Sequence, residues 1–335
     1  MISRMMKINI GVGVVLSVFF LFLAFRKINF SEIVGLLPQI NWSIVLLLIP
    51  LSLLLFVLRA IRWYFLMKSI KRITIRSLFS SIMIGFMINH TLPLRIGEFV
   101  RAYSLARKEK IKVAECLGTI VTERIFDLFT LLLILIPLLF IPAVSKMLGM
   151  ASLYILAFSL LLFGAFISLY FFGSRLMEIQ LVVKLIPEKI RYIVIDIITG
   201  LQSLKNPRDI FMLLLFSFLF WISAGYFYYL SLGILHISGL PIWSGFFLLL
   251  MISFGVALPS SPGYIGNYHY FAMIGLEFFG VSKEIALGFA ILTHIMQTAF
   301  VVAVGLVCLF FEGFNISEIW NRSQVQTKSE GKESI

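Results

Sequence analysis

The chain has 335 residues, 60% of them hydrophobic and only 13% charged, with a formal net charge of +12 and a mean hydropathy of +1.03. A water-soluble domain is about 25% charged, and no polar stretch here is long enough to hold one, so the composition excludes a soluble enzyme and makes the bilayer the solvent. The excess of Lys and Arg does not form a nucleic-acid face either, because these residues sit in short loops between apolar runs, the pattern of cytoplasmic loops in a membrane protein.

In chain order, Arg4 and Lys7 precede an apolar run over 8–25. No small-residue cleavage site follows it, only Arg26-Lys27-Ile28-Asn29, so the run reads as a retained first helix and not as a signal peptide. A lipid-exposed backbone must satisfy its own hydrogen bonds, which predicts spanning helices of about 20 residues. These fall at 8–25, 42–58, 115–141, 151–173, 210–233 and 285–311.

Two more apolar stretches are interrupted. The stretch 77–94 is broken by Asn89-His90-Thr91-Leu92-Pro93, and 242–279 by Pro259-Ser260-Ser261-Pro262-Gly263. Basic residues flank the first on both sides: Arg59, Arg62, Lys68, Lys71, Arg72 and Arg76 before it, Arg95, Arg101, Arg107, Lys108, Lys110 and Lys112 after it. Both flanks therefore read as cytoplasmic, and the segment reads as re-entrant, turning back at Pro93. If 242–279 is re-entrant from the outer side, both termini are cytoplasmic and 23 of the 28 Lys and Arg lie inside.

The fold class is then an all-α polytopic membrane protein of the inner or plasma membrane, with six spans and two re-entrant broken helices. One transmembrane domain covers 1–312, in two repeats, 1–145 and 150–312. Leu92-Pro93 with Ile96-Gly97-Glu98 recurs as Leu258-Pro259 with Ile265-Gly266-Asn267. Three spans per half would invert one repeat relative to the other, an arrangement of transporters with a midplane site. The stretch 175–208 reads as amphipathic helix on the cytoplasmic surface, and 313–335 as a polar, disordered tail.

Charge within a span costs at least ~2.5–3.5 kcal/mol, so it faces protein and marks function. The span 115–141 carries Glu123, Arg124 and Asp127, with Glu123 and Asp127 one helical turn apart and Arg124 able to pair with Asp127. The first re-entrant loop adds Arg95, Glu98 and Arg101. Arginine's planar fork suits phosphate. The cluster therefore reads as a polar cavity for a phosphate-bearing headgroup, with Arg95, Arg101 and Arg124 as contacts and the carboxylates orienting them, or else as ion pairs that lock the loop to the helix. In the second half the candidates are Asn267, His269, His294 and Gln297. No spacing matches a metal-ligand motif, and the Gly11-Val-Gly13 pair leads into no phosphate-binding motif, so neither a metal nor a nucleotide cofactor is expected.

The segments Leu92-Pro93-Leu94-Arg95-Ile96-Gly97-Glu98-Phe99-Val100-Arg101, Thr122-Glu123-Arg124-Ile125-Phe126-Asp127 and Leu258-Pro259-Ser260-Ser261-Pro262-Gly263-Tyr264-Ile265-Gly266 resemble the lysylphosphatidylglycerol synthase transmembrane-region family, over about 8–312. Two-part members of that family fuse a membrane domain, credited with lipid flipping, to a soluble domain that transfers lysine from tRNA to phosphatidylglycerol. This chain continues for about 24 residues past the last predicted span, so the resemblance implies lipid handling and not aminoacyl transfer. Three roles are open from sequence: a flippase or scramblase for an anionic, aminoacylated or polyprenyl-linked lipid; a membrane-embedded lipid-modifying enzyme using Glu98, Glu123 or Asp127 as acid or base, for which the family resemblance implies a phosphatidylglycerol lysyltransferase; or a non-catalytic partner of a lipid-modifying transferase or glycosyltransferase.

Overall fold

The computed structural model describes residues 4–26, 28–92, 96–148, 150, 206–259 and 261–313, with isolated positions between 153 and 172. Every element among them is helical. Helix α1 (Arg4–Phe25) and the short α2 (Phe30–Leu36) lead into α3 (Trp42–Met67). Then come α4 (Ile75–Thr91), α5 (Gly97–Glu109), α6 (Val113–Leu139) and α7 (Pro142–Leu148). After the undescribed stretch the chain continues as α8 (Pro207–Ser231), α9 (Trp243–Ala257), α10 (Asn267–Glu277) and α11 (Lys283–Glu312).

Three of these helices are long and apolar enough to cross a membrane by themselves: α3, α8 with its 3₁₀ extension to Leu235, and α11. Val14–Phe25 with Phe30–Gln39, bent by 84°, makes a fourth if the pair is taken as one span. Large apolar side chains such as Phe22, Leu46, Phe218 and Phe310 are exposed on these helices, as a hydrocarbon-facing surface requires and a water-facing one does not tolerate. The chain is an α-helical membrane protein. Helix α6 has the length of a span at 27 residues, but Glu123, Arg124 and Asp127 interrupt its apolar surface. The expected span 42–58 continues to Met67, which carries Arg59 and Arg62 into the helix instead of leaving them on a loop. The expected span 151–173 is described only in part, and most of the stretch 175–208 and the tail after 313 lie outside the described residues.

Ion pairs gather helix ends on one face of the bundle. Lys68 after α3 pairs with Asp209 in the first turn of α8 at 2.6 Å, Lys71 with Glu109 at the end of α5 at 3.2 Å, and Lys108 with Glu312 at the end of α11 at 2.6 Å. At the other face the Asn41 amide that precedes α3 donates to the Ile234 carbonyl beyond α8 at 2.9 Å. Helices α3, α8 and α11 therefore run the full height, and α3 packs along α8.

Neither interrupted stretch runs straight through; each folds back as a helical hairpin. Helices α4 and α5 pack antiparallel, with Gly85 facing Gly97 and Arg101, and Ser81 facing Ser104. The reversal is fixed by Asn89, whose Oδ1 accepts from the Gly97 amide at 2.8 Å. This supplies a partner for one of the backbone N–H groups that the start of α5 leaves without an intrahelical acceptor. Helices α9 and α10 form the second hairpin. Here Asn267 Nδ2 donates to the carbonyls of Gly255 at 3.1 Å and Pro259 at 3.3 Å, and Gly263 and Gly266 take φ of +67° and +90°. The two tips meet: the His90 and Tyr264 rings lie 5.5 Å apart, edge to face.

Gly97 sits where the arms of the first hairpin come closest. A Cβ there would stand 2.5 Å from Asn89 Oδ1 and press on the Gly85 carbonyl. Gly97→Ala is expected to destabilise the protein by about 1–3 kcal/mol, the usual range for overpacking, read as a lower midpoint of thermal unfolding in detergent. Gly35→Ala, where nothing lies within 4 Å, is the control that should not move it. An unchanged midpoint for Gly97→Ala would mean that the hairpin arms are not held this closely.

Candidate functional site

The polar centre is built where α3, α5, α6 and α8 converge. Helix α6 supplies Glu123 and Asp127 one turn apart, and α3 supplies Arg59 and Arg62 at the same kind of spacing. Arg62 bridges both carboxylates: Nη2 to Glu123 Oε1 at 2.8 Å and Nη1 to Asp127 Oδ1 at 2.5 Å. The other Glu123 oxygen takes Arg101 Nη2 from α5 at 2.6 Å. Asp127 also accepts from Arg124 Nη1 at 3.1 Å and from the Trp221 indole of α8 at 3.0 Å. Glu123 and Arg62 have fully buried side chains. At the rim Arg124 Nε meets Glu98 Oε1 at 3.0 Å, with these side chains 39% and 46% exposed.

Aromatic rings line the cations. The Arg101 guanidinium carbon lies 3.7 Å from the Trp63 ring centroid, and that of Arg59 lies 4.8 Å from both Phe86 and Phe220. Trp63 is itself anchored, donating to Thr119 Oγ1 at 2.9 Å. Burial of this much charge is tolerable only because it is paired and hydrogen-bonded in place.

Against this network opens a cavity of about 230 Å³ between α3, α4, α8, α9 and α11. Arg59 and Trp221 line one end; His90, Tyr264, Tyr268, His294 and Gln297 line the other, with mostly aliphatic and phenylalanine walls between them. The far end is a hydrogen-bonded set of side chains. Gln297 Nε2 donates to the Tyr268 hydroxyl at 3.2 Å, and that hydroxyl reaches Thr293 Oγ1 at 3.1 Å. His294 Nε2 bonds the Gly263 carbonyl at 2.6 Å, and His90 Nδ1 faces Thr298 Oγ1 at 3.2 Å.

Of the residues singled out from sequence, Glu98, Arg101, Glu123, Arg124 and Asp127 are brought into one network, while Arg95 lies outside the described residues. His294 and Gln297 line the cavity. Asn267 does not; it spans the break between α9 and α10. His269 stands behind His294, with ring centroids 4.8 Å apart, and accepts from the Gly266 amide. Sequence reasoning missed Arg59, Arg62 and Trp221. The signal for the first two was present in their spacing of three residues and in the apolar Trp63-Tyr64-Phe65-Leu66-Met67 that continues the helix beyond them. Trp221 gave none, since a tryptophan in an apolar run reads as lipid-facing.

Fold and site together define an α-helical membrane protein in which two broken hairpins meet beside a buried network of arginines and carboxylates. Residues 10–305 match the family described as the lysylphosphatidylglycerol synthase TM region, and the chain belongs to that family. It is similar to two membrane proteins of Methanocaldococcus jannaschii. UPF0104 membrane protein MJ1078 is 26% identical over 235 residues, 68% of this chain and 95% of the relative. UPF0104 membrane protein MJ1595 is 30% identical over 129 residues, 37% of this chain and 38% of the relative. No solved structure matches the chain.

Proposed function

We propose that this protein is a lipid transporter of the flippase or scramblase kind, which moves the headgroup of a phosphate-bearing lipid across the bilayer while the acyl chains stay in it. The observation that carries the reading is the meeting of two helix-break-helix hairpins at a central cavity. Non-helical backbone at membrane depth is tolerated where protein buries it or where it lines a cavity, and paired broken elements are the usual frame of transporter sites.

The packing supports two inverted repeats. Exchanging α3 with α8, α4 with α9, α5 with α10 and α6 with α11 turns α3–α4 into α8–α9, α4–α5 into α9–α10, and α5–α6 into α10–α11. It also turns α4–α11 into α9–α6 and α6–α8 into α11–α3. All of these are packed pairs, and α3–α8 maps onto itself, while α3–α6, which pack through Arg62, map onto α8–α11, which do not pack comparably among the described residues. The first hairpin starts and ends at the face that holds Lys68, Lys71, Glu109 and Glu312. At the second, Trp243 at the start of α9 meets Phe279 after α10 at 4.9 Å between ring centroids, so that hairpin too has both ends at one face. In this reading the first face, with its Lys and Arg, is cytoplasmic, and six spans place both termini there.

An acid–base enzyme is the weaker reading. Glu123 and Asp127 spend their oxygens on Arg62, Arg101, Arg124 and Trp221, and neither lines the cavity. A lipid-modifying transferase, if one acts with this chain, would be a separate partner supplying or consuming the cargo.

The test is translocation of a labelled anionic phospholipid in liposomes that hold this protein alone. Wild type is expected to move it, and Asp127→Asn, which weakens the hold on Arg62 and Arg124, to fall to the rate of protein-free liposomes. Equal rates in both proteins would separate the network from transport. No movement by wild type, with or without a proton gradient, would remove the transport reading.

A further inference from the structure

We infer that Arg59 is an oxyanion seat inside the cavity, the point at which a phosphate group is held. This rests on the transport reading for its cargo but on separate observations for its position. Four guanidinium groups, of Arg59, Arg62, Arg101 and Arg124, face three carboxylates, of Glu98, Glu123 and Asp127. One positive charge is therefore in excess.

Geometry says which one. Arg62, Arg101 and Arg124 each have a carboxylate oxygen within 3.1 Å. Arg59 comes no closer than 3.9 Å to Glu123 and donates no hydrogen bond among the described residues, though it is only 6% exposed. The rings of Phe86 and Phe220 stabilise its charge through their faces, yet they offer no lone pairs, so its N–H donors stay unspent. A buried guanidinium without acceptors is costly unless something supplies them. Arg59 also lines the cavity, whereas Arg62, Arg101 and Arg124 do not. The fork of N–H groups matches two oxygens of a phosphate.

The rest of the cavity narrows the ligand class. The cavity also carries hydrogen-bonding side chains with no carboxylate among them, His90, Tyr268, His294 and Gln297, which suits a polar, hydroxyl-bearing extension of the phosphate. The volume of about 230 Å³ falls below the about 300–1,000 Å³ of pockets that enclose a whole drug-sized ligand. The cavity therefore admits a headgroup with its two acyl chains left outside.

The experiment measures binding of dihexanoylphosphatidylglycerol, dihexanoylglycerol and inorganic phosphate to the full chain in detergent. Wild type should bind the first and not the second. Arg59→Gln should weaken binding at least about tenfold, the scale of lost hydrogen bonds to an ionised group, with Arg59→Lys intermediate and Lys146→Gln on α7 unchanged. Saturation by inorganic phosphate at equal affinity would keep the seat and make its ligand a free oxyanion. Wild-type affinity in a folded Arg59→Gln would overturn the proposal. A second measurement needs no variant: an arginine-selective glyoxal should label Arg59, mapped by peptide mass, and the phospholipid should protect it; labelling that the lipid leaves untouched would equally overturn the seat. Translocation by the same preparations separates the two claims. Movement undiminished in Arg59→Gln removes the seat and leaves transport, while Arg59-dependent binding without movement removes transport and leaves the seat.

Discussion

Glu123→Gln is expected to be the most damaging single substitution in the chain. The Glu123 side chain is fully buried, and its two oxygens serve different arginines, Arg62 at 2.8 Å and Arg101 at 2.6 Å, with Arg59 behind at 3.9 Å. Glutamine keeps the shape but offers one acceptor oxygen and turns an NH₂ toward the second guanidinium, donor against donor. Arg101 would then lose the carboxylate oxygen it holds, and Arg62 would keep Asp127 alone. Breaking a buried ion pair from one side costs about 3–5 kcal/mol, against a typical total stability of about 5–15 kcal/mol. The expected result is a large fall in the thermal midpoint in detergent and little monodisperse protein. Adding Arg101→Met to Glu123→Gln removes the orphaned cation and should recover much of the loss, whereas Glu98→Gln at the half-exposed rim should change stability by no more than about 1 kcal/mol. A double variant as unstable as Glu123→Gln alone would show that the carboxylate matters for shape and not for charge.

That asymmetry explains how much of the site could be read from sequence. Glu123, Arg124 and Asp127 stand out because apolar residues flank them on both sides within one span-length stretch, so no loop can claim them. Asn89 and Pro259 mark the two breaks for the same reason, since helix-ending chemistry inside an apolar stretch has few other uses. Arg59 and Arg62 were hidden by the rule that served elsewhere: an arginine that follows an apolar run reads as the run's boundary, and here two of them were assigned to the cytoplasmic flank. What holds Arg62 in the membrane is carboxylate 61 and 65 residues further along the chain, and such pairing leaves no trace in local hydropathy. The same limit applies to Trp221, whose indole reaches Asp127 across 94 residues, and to Asn267, which looked like a ligand but closes a backbone break. The breaks in the two helical hairpins were legible because helix-ending residues inside an apolar stretch are a local signal, reinforced at the first hairpin by basic residues on both flanks. Their meeting at His90 and Gly263 is a long-range fact of packing.

Arg62→Lys, by convention a conservative change, is expected to damage both stability and transport. Among the described residues Arg62 is the one that holds both Glu123 and Asp127, with Nη2 on the first and Nη1 on the second. That double contact joins α3 to α6, and through Trp221 and Asp127 to α8. A planar fork can hold two acceptors at once because its donors diverge in fixed directions; an ammonium is a point charge on a flexible stem and settles on one of them. Lysine would keep the net charge, so a purely electrostatic network would hardly notice the change. A network that depends on bridging would leave one carboxylate without its principal donor in a buried setting, at about 1–3 kcal/mol or more, and would loosen α3 against α6 beside the cavity. The expected outcome is a thermal midpoint well below wild type but above Glu123→Gln, with headgroup translocation reduced more than the folded fraction accounts for. Retention of both properties by Arg62→Lys would mean that charge alone holds α3 to α6, and the cavity wall would then have to be positioned by the Phe86, Phe220 and Trp221 packing instead.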